Sequence, residues 1–175
     1  HYLAIDAAHM VAIAAPLEEQ SHWHQLAMTL AERSHDKRAR GWLATLYNNQ
    51  GWTLFELGRL DEAIACQQKC LAWHEQHNNQ GKAFIARWSL ARLSRAQERH
   101  EQAMAELAQL RDDMAAAGTP EDGYVFEELG ENALLLNDPA ATEYFARAWF
   151  LLSQDGWFTA NEAERLARLK LLAKL

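Results

Sequence analysis

His74 and His77 stand three residues apart with Glu75 beside them, a spacing that puts two imidazoles on one side of a helix, where they could share a metal ion. The simpler reading places both in the last turn of their helix, where an imidazole is favoured by the negative end of the dipole. His22 and His24 flank Trp23, and residues two apart point to different sides of a helix, so they do not share an ion. Cys66 and Cys70 are four apart and do share a face. Two thiols supply too few ligands for structural zinc, and the pair reads as small packing residues in a reducing compartment. No HExxH, no GxSxG and no glycine-rich phosphate loop occurs. Asp6 with His9 is the only hint of convergent titratable groups, so the chain is expected to be non-enzymatic, with no cofactor and no metal.

Charge and hydropathy narrow the partners. The net charge is -7, and the only short basic cluster, Asp36-Lys37-Arg38-Ala39-Arg40, reads as the solvated start of a helix. A nucleic-acid partner wants a concentrated basic face, so none is expected. No apolar run approaches the roughly 18 residues of a membrane span, and no membrane partner is expected. The stretch AIDAAHMVAIAAP resembles a secretory signal, with Ala12-Ile13-Ala14 as a small-residue cleavage site. Asp6 and His9 interrupt its apolar run and no basic leader precedes it, so that reading is set aside and a cytoplasmic location expected. The chain begins without methionine, which reads as a fragment of a longer chain or a processed product.

Hydrophobic spacing at the helical period predicts helices over 2–14, 17–33, 37–57, 61–77, 81–97, 100–117, 120–136, 139–153 and 159–174. Pro16, Pro120 and Pro139 each fall where a helix would begin, and Thr119-Pro120 and Asp138-Pro139 read as a cap followed by a first-turn proline. Asp61 is expected to cap the helix after Gly58-Arg59-Leu60. In the last stretch, Leu166, Leu169 and Ala173 share one face while Glu162, Arg165 and Arg168 lie largely elsewhere, the pattern of an amphipathic end cap.

The helices restart as hairpins. Anchored on one small-residue slot early in the second helix, the copies place Gln20, Ala63, Ala103 and Ala141 there, separated by 43, 40 and 38 residues. The clearest copy has Tyr47, Gly51, Leu54, Ala63 and Cys70 at fixed offsets, with Gln50, Gln67 and Glu75 where Leu, an aromatic and Pro would complete it. The fourth offers Phe126, Leu129, Gly130, Ala133, Ala141, Phe145 and Ala148. The third offers Ala91, Ala103 and Leu107, and the weakest, the first, Ala8, Gln20, His24 and Ala27. This pattern resembles the tetratricopeptide repeat family, and spacings above its usual length of about 34 resemble the longer repeats of kinesin light chains and bacterial regulators. The resemblance implies an all-α, right-handed solenoid of antiparallel helix pairs in one domain, with hairpins over 1–34, 37–78, 81–117 and 120–153 and a capping helix over 159–174.

It also implies where a ligand would lie. In that family the first helix of each hairpin lines a concave groove, and its ligand-facing slots here hold Asp6 and His9, then Asn48, Asn49, Trp52 and Phe55. The third hairpin supplies Trp88, Ser89, Arg92 and Arg95, and the fourth Glu127, Glu128 and Glu131. Asparagine offers donor and acceptor together, and Trp and Arg are common anchors, a mixture suited to an extended or helical peptide. Lysines of the family's clamp for chaperone tails are missing, although Asn48 is a partial match. The expectation is a protein-interaction scaffold. Its alternative is a sensory or regulatory module of a larger polypeptide that binds a signalling peptide or an attached effector domain.

Overall fold

The computed structural model describes residues 2–175. They form eleven helices and no strand, in two compact units that divide between Leu93 and Ser94. The first unit holds α1 (Tyr2–Ala14), α2 (Leu17–Glu32), α3 (Lys37–Arg40), α4 (Leu43–Glu56), α5 (Leu60–Gln76) and most of α6 (Gln80–Ala96). In it α1 packs on α2, α2 on α4, and α4 on α5. The second holds the last turn of α6, then α7 (His100–Ala116), α8 (Gly123–Leu135), α9 (Ala141–Leu152), α10 (Gly156–Asn161) and α11 (Ala163–Leu172). There α7 packs on α8, α8 on α9, and α11 on α9. Within each unit these helices pack on ones near them in sequence, as in a helical solenoid.

The repeat register is carried by small residues. Ala63, Ala91, Ala103, Ala133, Ala141 and Ala148 are all buried, as are Cys70 and Leu54. Two glycines let helices close further. A Cβ on Gly51 would lie 2.9 Å from Gln67 Nε2, and one on Gly130 would lie 2.8 Å from the Phe145 ring. The α4–α5 turn needs the left-handed backbone of Gly58, whose φ is +73°.

Several expected boundaries move, each for a local reason. The helix expected over 37–57 divides into α3 and α4 at Gly41 and Trp42. The break turns the Trp42 ring onto α1, 6.3 Å from Tyr2 and 5.1 Å from His9. The helix expected from Pro120 starts at Gly123, because the Asp122 carboxylate, rather than Thr119, accepts the Tyr124 amide. Asp138 accepts from Ala140, so Pro139 and Ala140 form a turn ahead of α9. Asp61 is a first-turn acid of α5 rather than its cap, which is Arg59. The terminal helix expected over 159–174 is α10, capped by Asp155, followed by α11. Leu169 and Ala173 are buried and Leu166 half-buried. Phe158, outside the expected span, is buried completely and anchors α10.

Candidate functional site

One stripe of α4 carries Asn48, Trp52 and Phe55 at offsets of four and three, with Asn49 beside them. Facing it from α6 are Trp88 and Arg92, and all six side chains are half-buried. The Trp52 ring meets Phe55 edge-on at 5.6 Å and lies 5.9 Å from Trp88. Over these rings sits the Arg92 guanidinium, 5.6 Å from Trp52, 5.7 Å from Trp88 and 6.0 Å from Phe55. A cation over an aromatic face is attracted by the ring quadrupole, by about 0.5–1 kcal/mol at a partly wet site. Trp, Phe and Arg therefore form one preassembled patch of apolar rings with a positive head.

The polar end of the stripe is tied to α5. Gln67, fully buried, donates from Nε2 to the Asn48 main-chain oxygen at 3.3 Å and lies 3.4 Å from Asn48 Oδ1. Asn48 Nδ2 donates to Asn49 Oδ1 at 3.1 Å. Gln67 was no part of the expected surface. Its signal was a polar residue in a slot where the repeat carries an aromatic.

The other expected ligand residues are engaged or buried. Arg95 forks onto Glu128 at 2.7 and 3.0 Å. Arg165 forks onto Glu127 at 2.6 Å through both nitrogens, and Arg168 pairs with Glu131. Glu127 and Glu128 are buried, so each carboxylate depends on its arginine for solvation. Ser89, also buried, donates to the Ile85 carbonyl at 3.0 Å instead of facing a groove.

Asp6 is half-buried and His9 is buried in the α1–α2 hairpin, 6.0 Å from the His24 ring. Burial lowers the His9 pKa against an opposing pull from Asp6. Burial and then His9 lower that of His24 to about 4, so both imidazoles are neutral packing groups near pH 7. His77 stacks on Trp73 at 3.8 Å, with Nδ1 2.7 Å from the Trp73 carbonyl, while His74 is buried. Cys70 is buried, and burial pushes its thiol to about 11; burial also raises Cys66. Among the described residues no group of three or more His, Cys, Asp or Glu is placed to hold a metal, and no helix is long and apolar enough to cross a membrane.

A feature that the sequence did not suggest is an open cleft of about 630 Å³ in the second unit, lined by Phe126, Tyr144, Arg147 and Phe150 among others. Tyr144, Arg147 and Phe150 recur every three residues on the outer side of α9, a spacing hidden by the mixed chemistry of the three.

No curated protein matches the chain. Residues 44–77, which are nearly all of α4 and α5 with their connecting turn, match the model of the Tetratricopeptide repeat family. The α4–α5 hairpin is thus similar to a tetratricopeptide repeat, and the Asn48–Trp52–Phe55 stripe lies on its first helix.

Proposed function

We propose that the chain is a protein-interaction scaffold that holds a segment of a partner protein against the α4 and α6 face of its first unit, without catalysing a reaction. The observation that carries this reading is the half-buried cluster of Trp52, Phe55, Trp88 and Arg92. Rings stacked around a guanidinium offer an apolar side chain of a ligand a place to pack. Asn48 and Asn49, at the end of the same stripe, supply hydrogen bonds for a ligand's main chain. Arg95, Glu127 and Glu131 are left outside the proposed surface, since their charges are already taken by Glu128, Arg165 and Arg168. The 38- to 43-residue spacing of the repeat anchors supports grouping these hairpins with the longer repeats of the kinesin light chain kind.

The experiment is a pull-down with the intact chain, mapping of the bound segment to a peptide, and titration of that peptide against Trp52→Ala. The expected result is a loss of affinity of at least about tenfold, near 1.4 kcal/mol. An unchanged affinity in a folded variant contradicts the reading.

A further inference from the structure

The polar end of the α4 face has a direction. The Asn48 main-chain oxygen can only accept, so the Gln67 carboxamide must turn its nitrogen toward it, as it does at 3.3 Å. That nitrogen also faces Asn48 Oδ1 at 3.4 Å, which holds the Asn48 side chain with its oxygen inward and its nitrogen outward. The outward nitrogen donates to Asn49 Oδ1 at 3.1 Å, and Asn49 therefore carries its own amide nitrogen at the far end. We infer that Gln67 is a positioning residue which fixes the polarity of the Asn48–Asn49 pair, so that the α4 face meets its partner with N–H donors and recognises a main-chain carbonyl oxygen there. The inference rests on the proposed reading of this face as the binding surface.

Gln67 is well placed for such a role and poorly suited to packing alone. Its side chain is fully buried, it reaches α4 only because Gly51 has no Cβ, and among the described residues its Oε1 meets no hydrogen-bond partner. A buried oxygen without a partner is destabilising, so an apolar residue of similar size holds the hairpin at least as well. Stability and binding should then respond to Gln67→Leu in opposite directions, which a purely structural residue would not do.

Two measurements on the full chain separate the relay from the site. The first follows hydrogen exchange of the side-chain amides of Asn48 and Asn49 by NMR in the ligand-free protein. One Asn48 amide proton is expected to exchange several-fold more slowly than either Asn49 amide proton, and Gln67→Leu, or Gln67→Met if the leucine variant folds poorly, should abolish the difference. Equal exchange in the unaltered chain overturns the relay, whatever the surface binds. The second titrates the capped tripeptide acetyl-Phe-Ala-Asp-amide and follows tryptophan fluorescence. The Gln67 variant should bind about threefold or more weakly while its melting temperature holds or rises. If Trp52→Ala weakens binding and the Gln67 variants do not, the inference is wrong and the site reading stands. Should the tripeptide fail to bind, or bind indifferently to Trp52→Ala, the site reading fails and the inference falls with it.

Discussion

The Arg92 guanidinium carbon lies 5.6 Å from the centroid of the Trp52 ring, so a cation on α6 is seated on an indole of α4. This contact joins two helices of the first unit that are not consecutive in sequence, and Trp88 and Phe55 extend it to either side. In a double-mutant cycle, Trp52→Ala and Arg92→Ala should couple by about 0.5–1 kcal/mol in urea unfolding. Strict additivity of the two losses would mean that the cation and the ring do not interact in solution.

Acid should loosen the first hairpin. His24 is held near pKa 4 against about 6.5 for a free imidazole, so the unfolded chain takes up its proton first. The stability contributed by neutral His24 is therefore complete above about pH 6.5 and is lost as the pH falls toward 4, by up to about 3 kcal/mol. His9, also lowered by burial, works in the same direction. Melting temperatures from pH 7 to pH 4 should drop more steeply for the native chain than for His24→Leu. Parallel curves would show that His24 is not neutral and buried.

The two arginines of α11 should differ sharply in weight. Glu127 is buried beneath Arg165, whereas the Arg168–Glu131 pair is more open, with the Arg168 side chain 49% exposed. Arg165→Ala strands a buried carboxylate and should cost about 3 kcal/mol, while Arg168→Ala should cost under about 1 kcal/mol. Equal losses in chemical unfolding would contradict this arrangement. Deleting residues from Thr159 onward removes the cover from α9 and should cause aggregation or a loss of several kcal/mol.

Much of this fold was legible because its signals are local. Helical spacing marked where most of the helices lie, and the small residues of the repeat register, such as Ala63 and Ala103, are buried. What escaped depended on partners distant in sequence. Nothing near Gly41 announced that the chain would break to turn Trp42 onto His9, and Phe158 looked like a loop residue until α10 buried it. The site divided in the same way. Trp52, Phe55, Trp88 and Arg92 followed from the repeat register and do come together. Glu127, Glu131 and Arg95 occupy equivalent slots, yet arginines from α11 and a carboxylate on α8 already satisfy them. A slot specifies which way a side chain faces, not what will meet it.

The thiols offer a check on packing. Cys70 titrates near 11 and is buried, so it should react with a disulfide reagent at pH 8 far more slowly than half-buried Cys66. Replacing both by alanine should cost about 1–2 kcal/mol without changing metal content or binding. Stoichiometric metal in the purified chain, lost on that change, would overturn the packing role.

The most direct test of the interaction surface is the affinity of the mapped partner peptide for Arg92→Glu, set against a double variant, Gln68→Arg with Glu75→Arg, on the exposed side of α5. Arg92→Glu is expected to weaken binding by at least about tenfold, near 1.4 kcal/mol, in a chain that remains folded, and the α5 variant to bind normally. Binding that ignores Arg92→Glu and Trp52→Ala but is lost with the α5 variant would contradict it, and would move the surface to the outer helices.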